Sequence, residues 1–115
     1  MIRARQILDA LLDRGWTVNR TYDKGLLARG QSINIFLTLR AGVRYKIVVG
    51  GCEDAYDVDA LLYDENGNLI SRDTDRSSLA VVDVIPNWTG PFILHVTMYD
   101  STPGGAHYVV QYAWE

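Results

Sequence analysis

The strongest constraint on the fold is a regular alternation of apolar and polar side chains that begins after Gln31. In the first alternating segment one face of an extended chain carries Ile33, Ile35, Leu37 and Leu39. The same two-residue period returns in the segments 43–49, 58–62, 92–98 and 108–114. This period is typical of strands that bury one face. The chain from residue 31 onward is therefore predicted to consist of β-strands.

Turn signals separate these strands at short intervals. The Asn66-Gly67 pair inside the segment 64–68 predicts a tight hairpin. Gly50-Gly51 ends one alternating segment, and the apolar run 79–85 ends at Pro86. Because no helical pattern lies between the strands, parallel βαβ units are not expected. The predicted fold is all-β, an antiparallel β-sandwich or jelly roll of roughly seven or eight strands.

A different pattern precedes the strands. Residues 2–14 carry one apolar stripe at helical spacing, and Gly15 follows where a helix C-cap favours glycine. We expect this helix to cover an open end or edge of the sandwich. Residues 19–30 indicate a connection with one short strand near Leu26. The expected organisation is a single domain over 1–115, with the N-terminal helix in 1–15 and the β-sandwich in 31–115.

Charge and length exclude several classes of protein. The chain has 115 residues and a formal net charge of −3, and 48% of its residues are hydrophobic. This composition favours a folded globular domain. The acidic balance argues against a nucleic-acid binder and against electrostatic membrane anchoring. No stretch approaches the ~18 apolar residues of a membrane span. The lone Cys52 cannot form a disulfide within the chain.

Three segments and one tyrosine carry a resemblance to a known family. The segment 39–45 fits an aGxxY step, 57–70 fits a DxDLxLYDxxG hairpin, 89–96 fits a TGxYxxxV strand, and Tyr108 lies in the final strand. Together they resemble the bacterial pre-peptidase C-terminal domain and its jelly-roll relatives over about residues 31–113. Ala60 departs from the usual Leu, and Pro91-Phe92 replaces an aromatic residue directly after Thr-Gly.

The resemblance implies a non-catalytic role. Domains of this family usually sit beside secreted enzymes and are associated with binding to surface polymers, and some relatives bind calcium. The helix-first layout is also similar to small exported bacterial β-sandwich proteins, which implies a periplasmic or extracellular location. The N-terminal residues lack the apolar core of a secretory signal. A cytoplasmic location is therefore the alternative to export after removal of a signal peptide.

Acidic residues cluster between positions 54 and 75. Asp57 and Asp59 are two apart on a predicted strand and should project from one face. Asp73 and Asp75 lie on a loop that could return to the same end. Since Ca²⁺ takes six to eight oxygen ligands, these four aspartates are candidate calcium ligands. The alternative is a solvated turn in which Asp59 or Asp64 caps backbone N–H groups.

Four aromatic residues do not fit the predicted core faces and are candidate binding residues for a protein or polysaccharide surface: Trp88, Tyr99, Tyr56 and Tyr22. The alternative is that the tyrosines line the rim of the sandwich while Trp16 and Trp114 hold the helix against a sheet. No Gly-rich phosphate loop accompanies these residues.

Catalytic groups are sparse in this sequence. His95 and His107 could approach each other if their strands were neighbours, but no GxSxG elbow accompanies them. The predicted function is a non-enzymatic binding or accessory module that recognises a protein or polysaccharide surface, with Ca²⁺ as the one cofactor considered. The alternatives are a structural or assembly subunit that forms a homo-oligomer, and a small hydrolase that uses one of the two histidines.

Overall fold

A computed structural model describes residues 4–115 and places one helix and eight strands within them. The elements are α1 (Ala4–Asp13), β1 (Thr17–Leu27), β2 (Ser32–Leu39), β3 (Tyr45–Gly51), β4 (Ala55–Asp64), β5 (Leu69–Asp73), β6 (Leu79–Val84), β7 (Gly90–Ser101) and β8 (Ala106–Trp114). The predicted fold class is confirmed: the protein is mainly β, with a short helix before the strands.

The strands form two four-stranded antiparallel sheets. The first sheet has the order β1-β8-β3-β6 and the second has the order β2-β7-β4-β5. Only β4 and β5 are consecutive in the chain and paired in one sheet, and the predicted turn at 64–68 joins them. Every other connection carries the chain from one sheet to the other, as expected for a sandwich.

The main core lies between the two sheets, where the alternation predicted it. Leu37 and Leu39 on β2 are 3% and 1% exposed, and the inward residues of β7 between Phe92 and Met98 are fully buried. Burial of a side chain of this size contributes about 1.5–3 kcal/mol. The periodicity after Gln31 therefore identified the inward faces correctly.

The segment predicted as a connection is mostly strand. Residues 19–27 belong to β1, an edge strand that pairs with β8, so the sandwich begins at Thr17. The pairing shifts between Asn19 and Asp23, which breaks the two-residue period that would have revealed the strand. Gly25 packs closely against β8, because a Cβ atom there would lie 3.1 Å from the ring of Tyr108 and the ring would have to shift.

The helix packs against the outer face of the first sheet, where it contacts the edge strand β1 as well as β8 and β3. Leu8 and Leu11 pack with Trp16 and Ala113 in a second apolar cluster. Ala113 faces away from the main core, because its neighbour Tyr112 packs against that core. The small alanine lets the helix approach.

Along the described residues, no helix is long and apolar enough to cross a membrane.

The end of the helix is as predicted. Gly15 has a φ of 89°, and the amide of Trp16 donates to the carbonyl of Leu11 at 3.0 Å. A glycine in the left-handed region is the common way to end a helix. The predicted residues Ile2 and Arg3 lie outside the described part of the chain.

Candidate functional site

The register between β4 and β7 is interrupted at one point. Ala55 faces Ser101 and Val58 faces Met98 in the same register, but between them Asp57 pairs with Asp100, one residue out of step. The register shifts on both sides of that pair, so Tyr56 and Tyr99 have no partner residue. A bulge of this kind leaves a residue unpaired and changes the direction of its side chain.

The interruption brings two tyrosines to the surface between residues that are buried in the core. Ala55, Val58, Met98 and Ser101 are buried on the inner side. Between them, Tyr56 is 54% exposed and Tyr99 is 65% exposed. The resulting opening has a volume of about 190 Å³ and is lined by Tyr56, Asp57, Arg76, Tyr99 and Asp100. We call this opening the tyrosine cleft.

Arg76 reaches the cleft from the loop between β5 and β6. That loop is held by two backbone contacts: Val58 N–H donates to the Ser77 carbonyl at 2.7 Å, and Gly51 N–H donates to the Ser78 carbonyl at 2.8 Å. Glycine at position 51 lets both β4 and this loop approach closely, because a Cβ atom there would lie 2.4 Å from the Cβ of Ala55 and 3.3 Å from the Ser78 carbonyl oxygen. The Arg76 side chain is exposed, and it forms no ion pair with any described residue.

Behind the tyrosines lies a pair of carboxylates. Asp57 is only 7% exposed, and the Oδ1 atoms of Asp57 and Asp59 are both buried without a hydrogen-bond partner. The two carboxyl groups are close enough to share a hydrogen bond, but only if one of them carries a proton. Burial first, then the charge of Asp57 and that hydrogen bond, and last the charge of Asp73, raise the pKa of Asp59 to about 6.

The four aspartates predicted as calcium ligands do not form one cluster of ligands. Asp57 and Asp59 lie together. Asp73 accepts from the Val81 amide at 2.9 Å and from the Asp75 amide at 3.1 Å, which ties the edge of the second sheet to β6. Within residues 4–115 no group of three or more His, Cys, Asp or Glu side chains is placed to hold a metal ion. A Ca²⁺ ion at Asp57 and Asp59 would need most of its six to eight oxygens from other sources. Calcium binding stays a prediction.

Asp64 has the structural role that the alternative interpretation gave it. Its Oδ1 atom accepts from the amides of Asn66 at 2.9 Å and Asn68 at 2.8 Å, and its Oδ2 atom accepts from Asn68 Nδ2 at 3.0 Å. These bonds, with the Asn68 side chain contributing most, lower the pKa of Asp64. The carboxylate therefore organises the β4–β5 turn.

The predicted aromatic residues divide into two groups. Tyr56 and Tyr99 meet at the cleft. Trp88 stands before the other end of β7 and stacks on Phe92, with ring centroids 5.4 Å apart. Tyr22 donates its hydroxyl to the Phe36 carbonyl at 2.6 Å and thereby joins β1 to β2 at the rim of the sandwich. Trp88 and Tyr22 thus have packing roles in this structure.

The two histidines lie on strands of different sheets. His95 is on β7, where its Nδ1 atom is 2.7 Å from Asn34 Oδ1, and His107 is on β8. β7 and β8 are not paired, so the condition for the histidines to approach is not met. The Ser101 hydroxyl, which lies between the two histidines in sequence, donates to the Thr102 carbonyl at 2.8 Å.

Sequence reasoning missed two residues of the cleft, Arg76 and Asp100. Both are single charged residues in polar segments, and no local pattern distinguishes them. It also missed a wider groove of about 480 Å³ between the helix and the first sheet. Two of the three basic residues that line this groove have partners: Lys46 Nζ is 2.9 Å from Asp83, and Arg44 is 3.8 Å from Glu115.

Comparison with known proteins shows the fold. No protein-family model and no curated protein sequence matches this chain. The structure is similar to Aeromonas hydrophila PliG, a periplasmic inhibitor of g-type lysozyme, with a TM-score of 0.61 and 15% sequence identity over 89% of this chain and 90% of that one. It is also similar to the pre-peptidase C-terminal domain of collagenase from Bacillus anthracis, with a TM-score of 0.60 and 17% identity over 87% and 89%. The structural resemblance expected from the hairpin motif is thereby confirmed.

Proposed function

We propose that this protein is a non-enzymatic binding module that recognises a protein surface through the tyrosine cleft. The observation that carries the proposal is the offset pairing of Asp57 with Asp100, which presents Tyr56 and Tyr99 together on the surface. Bulges occur preferentially where a side chain must be directed toward a ligand. Exposed tyrosines beside an arginine have the composition of an interface hot spot.

The cleft is better suited to a protein partner than to a polysaccharide. Its polar lining carries both signs of charge, from Asp57, Asp100 and Arg76, and such groups pair with the charged side chains of proteins. The similar fold of PliG belongs to an inhibitor of a lysozyme, and an inhibitor acts by binding its target. These observations support a binding role without catalysis.

The same comparison supports a location outside the cytoplasm. PliG is periplasmic, and the sequence resemblance points to exported bacterial domains. We propose that the protein acts after export. Fractionation of cells that express the native gene tests this directly, and recovery of the protein with cytoplasmic markers would contradict it.

The binding proposal is tested by comparing three proteins: the wild type, the Tyr56→Ala/Tyr99→Ala double variant and Phe36→Ala. Phe36 is a matched control, because it is an aromatic residue 66% exposed on another strand of the same sheet. Each protein is assayed against a panel of exported proteins that includes a g-type lysozyme, and in parallel against a glycan array. We expect a protein ligand whose affinity falls at least about tenfold in the double variant and is unchanged in Phe36→Ala. Glycan binding through the same tyrosines, or protein binding unaffected by their loss, would overturn the proposal.

A second candidate function, self-association, is favoured by one other surface. A row of residues crosses all four strands of the second sheet on its outer face, because Phe36 pairs with Ile93, Ile93 with Tyr63, and Tyr63 with Leu69. Phe36 and Leu69 are 66% and 46% exposed. Light scattering over a concentration series tests this candidate. A dimer weakened by Phe36→Ala would support it, and a strict monomer would remove it.

A further inference from the structure

The tyrosine cleft holds more negative charge than its surroundings neutralise. Asp57 lines the cleft at 7% exposure, and its Oδ1 atom is buried without a partner. Asp100 lines it from the opposite strand, and the Asp59 carboxyl group is close to that of Asp57. None of these three carboxylates forms an ion pair with a described residue. A buried carboxylate without a counterion is costly, so a cation entering the cleft would be stabilised.

The walls of the cleft also favour a cation. Tyr56 and Tyr99 expose about half or more of their surface, and the face of an aromatic ring attracts a positive charge. A guanidinium group suits this combination better than an ammonium group, because it is planar, stacks on rings and can bond two carboxylate oxygens at once. The cleft volume of about 190 Å³ is below the range of small-molecule pockets, roughly 300–1,000 Å³, and it suits one large side chain.

We propose that the tyrosine cleft receives the guanidinium group of an arginine side chain presented by the partner protein, between Tyr56 and Tyr99 and against Asp57 and Asp100. This inference rests on the proposed function and adds the chemical class of the group that is recognised. The partner's surface is then expected to be basic where it meets the cleft.

Arg76 can be substituted to test the sign of the charge on the ligand. It lines the same cleft and carries the same charge as the incoming group. Since it forms no ion pair among residues 4–115, its principal effect on a cationic ligand is repulsion. Replacing Arg76 with Ala should therefore strengthen binding of an arginine, whereas Asp100→Asn should weaken it. An acidic ligand would show the opposite signs.

The experiment uses capped five-residue peptides, with four glycines around a central arginine or its neutral isostere citrulline, titrated into the ¹⁵N-labelled protein and followed by NMR. We expect the amide signals of Tyr56 and Tyr99 to move and the citrulline peptide to bind at least about tenfold more weakly. Asp100→Asn should reduce the affinity for the arginine peptide severalfold, and Arg76→Ala should increase it. Asp83→Asn, a change of an exposed carboxylate on the first sheet, should leave it unchanged.

Equal binding of the two peptides would overturn the arginine proposal, and so would weaker binding by Arg76→Ala. Either failure can be distinguished from failure of the proposed function. If Tyr56→Ala/Tyr99→Ala still abolishes binding of a protein partner, the cleft is a binding site for another group. If that double variant binds the partner normally, the proposed function itself is wrong.

Discussion

Asp57 pairs with Asp100 across β4 and β7, one residue out of the register that the two strands keep on either side. In an uninterrupted ladder Asp57 would face Tyr99, and Tyr56 would face Asp100. Only one of the residues Tyr56 and Asp57, and only one of Tyr99 and Asp100, would then point outward. The offset places Tyr56, Tyr99 and Asp100 at the surface together, next to the buried Asp57, and the cleft exists because of it.

Loss of the tyrosine rings should affect binding and leave folding nearly unchanged. Tyr56 and Tyr99 are 54% and 65% exposed, and substitutions at exposed positions usually change the free energy of unfolding by less than about 0.5 kcal/mol. Urea denaturation of Tyr56→Ala/Tyr99→Ala should therefore give a midpoint close to that of the wild type. A loss of several kcal/mol would mean that the rings are part of the core.

The carboxylate pair should make stability depend on pH. Because the folded protein raises the pKa of Asp59 to about 6 from its ordinary value of 3.8, it binds the proton more tightly than the unfolded chain does. The Asp59 contribution to the free energy of unfolding therefore falls as pH rises from about 4 to about 6.

Asp59→Asn should remove that dependence, since the amide stays neutral and can donate to Asp57. At pH 7.5 we expect it to be more stable than the wild type by about 1 kcal/mol, after allowance for partial solvent screening. Urea denaturation at pH 4.5 and 7.5 measures the difference, with Glu65→Gln as the control at an exposed carboxylate. A variant less stable than the wild type at pH 7.5 would refute the assignment.

Calcium binding is tested by thermal melting. If Asp57 and Asp59 take part in a site, Ca²⁺ at 100-fold excess over its dissociation constant should add about 2.7 kcal/mol, which raises the melting temperature by several degrees. Asp59→Asn should lose that shift. Identical melting in Ca²⁺ and in chelator would exclude a calcium site that stabilises the fold.

The turn before β8 provides a matched pair of glycines. Gly105 has a φ of 84°, and a Cβ atom there would lie 2.5 Å from the Leu27 carbonyl oxygen. A Cβ atom on Gly104 would meet nothing within 4 Å. Gly105→Ala should lower the free energy of unfolding by about 2 kcal/mol or more, and Gly104→Ala by much less. Equal effects on the urea midpoint would contradict the packing of this turn against β1.

Much of the fold follows from the sequence because burial of one strand face leaves a local pattern. Leu37 and Leu39 show it, and Asp64 with Gly67 marks the hairpin. β1 is different, since it is an edge strand with a shifted register and its side chains lose the period. The position of the helix also has no local signal, because it depends on the small side chain of Ala113 far along the chain.

The cleft could be predicted only in part for the same reason. Tyr56 and Tyr99 stand out individually, since they do not fit the core faces. Their proximity is a property of the pairing between β4 and β7. The register shifts by one residue and then returns, so the sequence of each strand alone gives almost no sign of it. Arg76 depends further on how a loop between the sheets is held by Val58 and Gly51.

In the proposed function Tyr56 and Tyr99 act as one binding site, and a double-mutant cycle shows whether they do. The affinity for the protein partner is measured for the wild type, Tyr56→Ala, Tyr99→Ala and the double variant. Residues that share one partner group show coupling beyond the ~0.3–0.5 kcal/mol within which independent sites add. We predict that each single variant loses most of the affinity and that the double variant loses little more. Additive losses, or binding that neither substitution affects, would show that the two tyrosines do not form one binding site.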